Sequence, residues 1–521
     1  MLALAVGLFV IDNLPVGGFY DDAFYVILAK SLATGQGYRN LNLPGAPHAV
    51  HYPPGYPLFL AALWRIAPAF PGNVFWFKVA NALFLSVAAG CAYQFGRQRL
   101  GLSPVVALVG TAAGTVTTPA LYLSSMVLSE TMFLALAIPL LIWAERATSR
   151  DDQDVGGALA LGACAGLLFL VRSHAVALIG AIAIVYALRR RWKESGLSLL
   201  GAAVVTAPWM LWVAEHNAAV PALMRGDYGS YFGWLVDGLR ERGMDLVLTT
   251  LRRNIPALLQ IVVRRLQPPE NPIPNLVVSL CVGGLAAFGF VRLARRARVT
   301  FVFLAAYCAI AAIWPFVPVR FFLGIWVLLM LVLTSGVQSL IEQRRPAGAG
   351  RDRNLWIAGR AFWVTASVVL VTGAFAYNVR GFSHHWWSTT EAQSARWIAP
   401  KIEWVRTHTD SAAIIATDHD EGGLYLYTGR RAVPATTFTA AEYVAPRDVQ
   451  ADAAAFTKLA THWHARYMLL SSPRLHPAAL ALGAQGTPLG DANHRTVPWV
   501  FTLPALATRP LGDTVTLRAS R

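Results

Sequence analysis

Eleven apolar stretches, most of them close to the length that crosses a lipid bilayer, constrain the fold of this chain more than any other feature. A helix needs about 20 mainly apolar residues to cross the hydrocarbon core. The chain has 521 residues, of which 55% are hydrophobic and only 14% are charged. We therefore predict an α-helical polytopic membrane protein with about eleven transmembrane helices. The stretches lie at 1–15, 74–95, 104–122, 127–144, 156–171, 174–188, 197–213, 277–293, 299–315, 321–341 and 356–377.

Basic residues cluster between these stretches and predict how the helices are oriented. Cytoplasmic loops carry an excess of Lys and Arg, and every second connection here is basic. The basic connections lie at 96–99, 145–150, 189–193, 292–298 and 342–353. The loops 13–73 and 214–276 and the tail from 378 should then face outward. This pattern accounts for most of the net charge of +16, and we expect no nucleic-acid partner.

The first stretch is weaker than the others, because only Met1 to Ile11 are continuously apolar. No basic region precedes it, which argues against a signal peptide. Either the span takes in residues up to Tyr20, or the natural gene starts upstream of Met1. We favour the second explanation and count the stretch as a span.

Beyond Asn378 the long apolar runs end, and the pattern changes to short alternating elements. Helical periodicity at 391–408 and 448–463, with apolar strands at 412–417, 423–429 and 466–472, predicts a small α/β domain over 378–521. The transmembrane domain would cover 1–377. The segment "TDHDEGG" at 417–423 fits a solvated turn or helix end better than a metal site. The four cysteines lie inside apolar stretches and show no disulfide or zinc spacing.

Asp21 and Asp22 stand side by side at the outer end of the first stretch, ahead of "AFYVILAKSLATG". Either carboxylate could cap a helix that ends at Gly35 or Gly37. A cap needs only one carboxylate, whereas adjacent carboxylates with coupled ionisation serve general base catalysis or metal binding. Both interpretations follow from the residues.

Three further charged residues fall at the same face of the membrane. Glu130 lies about one turn inside the outer end of its stretch, where an ionisable group costs roughly 2–3 kcal/mol unless it faces protein or water. Arg172 and Arg320 lie at the outer surface by the loop count. Each arginine alone could simply reach lipid headgroups. Together with Asp21, they indicate an anionic, lipid-linked ligand recognised at the outer interface.

The segment "HAVHYPPGYPLFLAALWRIAP" at 48–68 belongs to the first outer loop. Its paired prolines force an extended turn, and the apolar residues that follow are too few to span the membrane. We expect a lid or wall beside Asp21, with Tyr52 as a hydrogen-bond donor. A simple interfacial anchor is the alternative.

These segments, taken in order, resemble the bacterial GT-C glycosyltransferases over about residues 1–341. Within them the chain is similar to the protein O-mannosyltransferase-like, aminoarabinose transferase-like and rhizobial core glycosyltransferase-like group. The matching segments are "DDAFYVILAKSLATGQGY", "HYPPGYPLFLAALW", "LSETMFLAL", "LVRSHAVAL", "APWMLWVAEHNA" and "PVRFFLGIWVLL". The resemblance implies a GT-C-like membrane domain with an external α/β tail.

The resemblance also implies catalytic residues. The family pattern D-[DE]-x-x-[YF] matches the five residues from Asp21 to Tyr25. Asp21 would be the catalytic base with Asp22 beside it, and Glu130 would be the second acidic position. The resemblance leaves open whether Asp22 and Glu130 hold a divalent cation.

One position departs from the aminoarabinose branch, which has a lysine directly before its paired prolines. This chain has Tyr52 there. A lipid A aminoarabinose transfer is therefore not implied, and Arg172, Arg320 or Lys78 would neutralise the donor phosphate.

The implied reaction moves a sugar from a polyprenyl-phosphate donor to a hydroxyl of a lipid, glycan or protein, at the outer face of a bacterial inner membrane. Direct displacement would invert the anomeric centre. The alternative is a flippase or another transporter. Transporters usually place polar sites near the bilayer midplane, whereas the charges here lie at one face, which favours the enzyme.

Overall fold

The fold is that of a helical membrane protein with a small sheet near its C-terminus. The computed structural model describes residues 1–150, 152, 154–221, 224–266, 275–342, 351–436, 438–490 and 497–503. The helices up to the middle of the chain are α1 Leu2–Phe9, α2 Asp21–Ala33, α3 Gly55–Ile66, α4 Asn73–Gln98, α5 Pro104–Thr115, α6 Thr118–Ser125, α7 Glu130–Ser149, α8 Val155–Val171, α9 Val176–Leu188 and α10 Trp192–His216. The later helices are α11 Arg225–Tyr228, α12 Tyr231–Arg242, α13 Met244–Leu266, α14 Asn275–Arg296, α15 Arg298–Ile313, α16 Val319–Leu323, α17 Trp326–Ile341, α18 Arg351–Ser383, α19 Thr389–His408, α20 Glu421–Thr428, α21 Ala440–Val444, α22 Val449–Trp463 and α23 His476–Ala481.

Six of the described helices are long and apolar enough to cross a membrane, namely α4, α7, α10, α13, α14 and α18. A seventh span results if α5 and α6, which meet at 50°, form one broken helix. Four shorter apolar helices, α8, α9, α15 and α17, coincide with predicted stretches. The polytopic helical architecture is confirmed, whereas the count of eleven spans is not.

Two elements differ from the predicted arrangement. The first stretch forms only α1, which has eight residues and rises about 12 Å at 1.5 Å per residue. It packs on α4, where a Cβ added at Gly7 would lie 3.0 Å from the Cβ of Ala82. This length is well short of the roughly 30 Å of a hydrocarbon core.

The second difference is α13, which lies inside the predicted outer loop 214–276. Arg252, Arg253 and Pro256 interrupt its apolar residues, so no continuous apolar run announces it. Asn254 Nδ2 donates to the carbonyl oxygens of Ala311 (3.1 Å) and Trp314 (2.8 Å) at the end of α15. This loop is therefore partly helical and packed against the bundle.

A five-stranded sheet confirms the predicted C-terminal α/β fold, in the order β2-β1-β3-β5-β4. The first three strands in this order run parallel, and β5 and β4 are antiparallel additions. The predicted strand at 423–429 is wrong, because residues 423–428 belong to α20 and Gly429 is the C-cap of this helix, with φ 73°. The predicted boundary at 377/378 falls inside α18. The strands are β1 Ile414–Thr417, β2 Arg431–Pro434, β3 Tyr467–Leu470, β4 Gln485–Pro488 and β5 Trp499–Thr502.

The segment "TDHDEGG" runs from the end of β1 through a turn into the first residues of α20, so the predicted helix end is confirmed. Most of its residues are buried rather than solvated. Lys401 Nζ from α19 contacts Asp418 Oδ1 at 2.9 Å and Asp420 Oδ2 at 2.6 Å. Asp418 also accepts hydrogen bonds from the backbone amides of Ser471 and Ser472 after β3. These contacts fix the edge of the sheet that faces α2.

The C-terminal α/β unit packs directly on the start of α2. A Cβ added at Gly422 would lie 2.8 Å from the Cβ of Ala23, and one at Gly17 would lie 3.2 Å from the Cα of Gly423. The close approach leaves no room for side chains at Gly17, Gly422 and Gly423. Residues 17–23 are therefore held between the helical bundle and the α/β unit.

Glycines allow α8 and α10 to touch through their backbones. A Cβ at Gly162 would collide with the carbonyl oxygen of Ser198, whereas nothing lies within 4 Å of a Cβ at Gly180 in α9.

We predict that Gly162→Val lowers the free energy of unfolding by about 1–3 kcal/mol, as overpacking does. Thermal unfolding in detergent measures this, with Gly180→Val as the matched control. Equal effects of the two substitutions would contradict this packing.

Candidate functional site

Asp21 is the first residue of α2, where the helix dipole favours a carboxylate. Its Oδ1 accepts a hydrogen bond from the Tyr52 hydroxyl at 2.8 Å. Its Oδ2 lies 2.5 Å from a terminal nitrogen of Arg320, which α16 carries. Two residues that the sequence analysis selected from other segments therefore contact Asp21.

Glu130 extends these contacts into a chain of charges. It is the first residue of α7 and is fully buried. Its Oε1 lies 3.4 Å from Arg320 Nε and 3.0 Å from a terminal nitrogen of Arg172, which follows α8. We call Asp21, Arg320, Glu130 and Arg172 the ion-pair chain. It joins four segments that are far apart in the sequence.

Three residues that the sequence analysis gave no role support the ion-pair chain. Arg172 donates to Ser129 Oγ at 3.1 Å, and the Tyr25 hydroxyl lies 3.0 Å from the same oxygen. The Arg320 guanidinium carbon lies 4.7 Å from the centroid of the Phe19 ring. Residues four apart share a helix face. The spacing of Tyr25, one turn after Asp21, could therefore have predicted that Tyr25 lies near the same charged groups.

The charge state of Asp21 results from two opposing effects. Burial raises the pKa of Asp21, and the Arg320 guanidinium with the Tyr52 hydrogen bond lowers it by more. The net pKa lies below its ordinary value, so Asp21 is ionised at neutral pH. In this structure the negative charge of Asp21 forms an ion pair with Arg320.

Asp22 points to different partners although it is the neighbour of Asp21. Its two carboxylate oxygens accept from the backbone amides of Gly17 (2.9 Å), Phe19 (3.3 Å) and Ala23 (2.9 Å). Burial raises the pKa of Asp22, and these amides only partly offset it. The structure gives Asp22 the geometry of a buried cap for the turn that leads into α2.

Lys78 belongs to a separate buried cluster rather than to the ion-pair chain. Its Nζ lies 2.8 Å from Asp12 Oδ1 and 3.4 Å from Glu391 Oε1, and its side chain is fully buried. Burial keeps the pKa of Glu391 well above its ordinary value in spite of Lys78. The cluster ties α4 to α19, and the expected phosphate contact of Lys78 does not fit this position.

The described residues do not fit the metal site that the sequence left open. They contain no group of three or more His, Cys, Asp or Glu side chains that could hold a metal ion. Backbone amides occupy both oxygens of Asp22, and guanidinium groups lie beside Glu130, where a cation would stand. The positive charges at this site come from arginine.

The α/β unit places the carboxylate of Glu421 beside Tyr20, the residue that precedes Asp21. The Tyr20 hydroxyl donates to Glu421 Oε1 at 2.8 Å, and the Tyr228 hydroxyl lies 3.3 Å from the same oxygen. Burial and the Glu421 charge raise the pKa of Asp227 well above its ordinary value. These acidic groups were not selected from the sequence, because they are neighbours only in the folded chain.

The contacts of Asp22 generate a stability prediction. An Asn amide group has one acceptor oxygen instead of two, so Asp22→Asn leaves buried amides of the 17–19 turn without a partner. We expect a loss of about 1–3 kcal/mol in the free energy of unfolding. Thermal unfolding measures it, with Asp237→Asn as control, because Asp237 makes only exposed ion pairs. An unchanged melting temperature for Asp22→Asn would refute the capping geometry.

Comparison with known proteins places this geometry in a known fold. No protein-family model and no curated protein sequence matches the chain. The solved structure of ArnT from Cupriavidus metallidurans bound to undecaprenyl phosphate is similar over 98% of both chains, with 14% identity and a TM-score of 0.53. The apo state of the same protein matches over 97% of both chains, with 14% identity and a TM-score of 0.54.

An archaeal structure shares the architecture as well. The Archaeoglobus fulgidus oligosaccharyltransferase tethered with an acceptor peptide matches 92% of this chain and 70% of its own, with 10% identity and a TM-score of 0.50. Both proteins are GT-C glycosyltransferases. At these identities the likeness concerns the fold alone, and this chain has a GT-C-like fold.

Proposed function

We propose that this protein is a membrane glycosyltransferase that moves a sugar from a polyprenyl-phosphate donor to an acceptor hydroxyl. The ion-pair chain is the observation that carries the proposal. It places an ionised carboxylate, Asp21, within contact distance of an arginine that a phosphate group would also attract. The likeness in fold to ArnT, whose structure holds undecaprenyl phosphate, supports the same donor class.

The two arginines are the phosphate-binding groups of this proposal. Arg320 and Arg172 share Glu130 Oε1 as a common partner, which holds both guanidinium groups at one place. Guanidinium groups bind phosphate oxygens in a bidentate geometry, through two parallel hydrogen bonds. The developing charge on the leaving phosphate would be stabilised by groups that are already oriented.

Donor binding would also free the base. In this structure Arg320 pairs with Asp21 and keeps the pKa of Asp21 low. The Asp21 carboxylate is therefore a weak proton acceptor. A donor phosphate competes for Arg320, and the burial of Asp21, which raises its pKa, then dominates. Asp21 becomes a stronger base when the donor is in place.

The chemical step balances with these groups. The acceptor oxygen attacks the anomeric carbon, and its proton passes to Asp21. The bond between that carbon and the phosphate oxygen breaks, and the electron pair leaves with the polyprenyl phosphate. A direct displacement of this kind inverts the anomeric centre, and general base assistance contributes about 10²–10⁴-fold to the rate.

Tyr52 and Glu130 are positioning residues in this scheme. The Tyr52 hydroxyl orients Asp21, and Glu130 holds the two arginines. Asp22 and Lys78 would have structural roles. Asp22 accepts hydrogen bonds from the backbone turn before α2, and Lys78 joins α4 to α19.

The orientation of the protein is part of the proposal. We place the Asp21 end of the bundle and the C-terminal α/β unit outside a bacterial inner membrane. Basic residues in the connections at the opposite end support this, since cytoplasmic loops are enriched in Lys and Arg. The sugar acceptor would be a lipid, glycan or protein that meets the site from the outer side.

Asp21→Asn tests the base directly. The substitution keeps the shape and a hydrogen-bond acceptor for Tyr52, but the amide cannot take a proton. We expect the transfer rate to fall by at least about 10²-fold, measured as consumption of a labelled polyprenyl-phosphate sugar by purified protein. Asp237→Asn, which removes an exposed carboxylate, is the matched control.

The same assay separates an enzyme from a flippase. A flippase moves the lipid across liposomes without consuming it. Translocation of an intact donor by the unmodified protein, or full transfer by Asp21→Asn, would contradict the proposal.

Arg320→Gln tests the coupling between phosphate binding and the base. Arg320 lowers the pKa of Asp21 in the free protein, and without it burial raises that pKa. The acidic limb of kcat/KM, which reports the free enzyme, should move to higher pH in the variant. The limb of kcat, which reports the donor complex, should move less, while the donor KM rises about 10–100-fold. An unshifted kcat/KM profile would separate Arg320 from Asp21.

A further inference from the structure

Five arginines surround one pocket at the end of the bundle opposite Asp21. The pocket has a volume of about 200 Å³. Arg99 follows α4, Arg189 follows α9, and the other three lie where α14 meets α15. The rest of the wall comes from Val185 of α9 and from the far end of α7, where Glu145 lies about 22 Å from Glu130 at 1.5 Å per residue. The lining residues are Arg99, Glu145, Thr148, Ser149, Val185, Arg189, Arg295, Arg296 and Arg298.

Among the described residues that line this pocket, Glu145 is the one carboxylate, and it is already engaged. Glu145 is buried, and its Oε1 accepts from the backbone amide (2.7 Å) and the hydroxyl (2.9 Å) of Thr300. Five arginines thus line a pocket whose described carboxylate is already held by Thr300. The pocket carries a strong excess of positive charge.

The arginines of the pocket differ from their neighbours at the same end of the bundle. Arg191 pairs with Glu194 at 2.9 Å, and Arg292 pairs with Glu342 at 2.5 Å. Within the described ranges, none of the five pocket arginines makes an ion pair of 4 Å or less. The Nε atoms of Arg99 and Arg189 are also buried and have no hydrogen-bond partner there.

Buried donors without a partner cost free energy, and like charges in one concave pocket repel each other. Burial, with the nearby Arg146 charge, lowers the pKa of the Arg99 guanidinium. A bound anion would satisfy the free donors and offset the repulsion. A water fills about 30 Å³ of liquid, so the pocket has room for a phosphate group with its oxygens.

We propose that these five arginines form a binding site for a phosphate group, separate from the ion-pair chain and independent of the proposed glycosyl transfer. The phosphate could belong to the headgroup of an anionic lipid or to a soluble compound. Basic pockets between transmembrane helices are suited to lipid headgroups. Guanidinium groups from three segments would close around the phosphate.

The purified full-length chain in detergent tests the site with two probes, phosphatidylglycerol followed by native mass spectrometry and inorganic phosphate followed by calorimetry. The test variants are Arg99→Gln and Arg189→Gln. Arg190→Gln is the matched control, since Arg190 is the exposed neighbour of Arg189 and does not line the pocket. We expect each test variant to bind about tenfold more weakly and the control to bind within about twofold of the unmodified chain.

The two probes identify the source of the phosphate. Loss of phosphatidylglycerol binding alone in the test variants assigns a lipid headgroup, and loss of inorganic phosphate binding assigns a soluble phosphate. If Arg99→Gln fails to fold, Arg298→Gln replaces it, because Arg298 is exposed and its loss leaves the core intact. Equal binding of both probes by the test variants, the control and the unmodified chain overturns the proposal.

Discussion

The chain of contacts from Asp21 through Arg320 and Glu130 to Arg172 is the interaction on which the arrangement of this protein depends. Charges removed from water are costly unless they are paired and hydrogen-bonded. Each of these four groups finds its partner in another segment, so α2, α7, α16 and the end of α8 must meet at one place. Ser129 and Tyr52 satisfy further positions on the same groups. Removing one member would leave a buried charge without its counterpart.

The two ends of the helical bundle differ in how their charged side chains are paired. At the Asp21 end, carboxylates and guanidinium groups alternate and neutralise each other. At the opposite end, five arginines line one pocket, and Glu145 is the one carboxylate among the described residues that line it. In the proposed function, the first arrangement keeps a base and the phosphate-binding groups paired until a donor phosphate competes for them. In the proposed phosphate site, the second arrangement offers unpaired positive charge to an anion.

The α/β unit makes the site more than a feature of the membrane helices. It contacts the turn before α2 so closely that Gly17 and Gly423 have no space for side chains. Through Glu421 it reaches Tyr20, which precedes Asp21, and through Glu391 it reaches Lys78 in α4. The unit therefore restricts the backbone that presents Asp21.

The sequence by itself determined the class of fold and selected most of the charged residues of the candidate site, because apolar length and isolated charges near membrane interfaces are local properties. It identified Asp21, Glu130, Arg172, Arg320 and Tyr52, which the structure brings together. The residues alone left open whether Asp21 and Asp22 cap a helix or act in catalysis, and the family resemblance made Asp21 the base. The backbone partners of Asp22 could not be predicted, since neighbouring helix residues point in different directions and only packing decides what each meets. It also missed α13, whose apolar residues are interrupted by charge. Lys78 was assigned to the wrong cluster because the partners of a buried cation, Asp12 and Glu391, come from distant parts of the chain and are decided only by the tertiary structure.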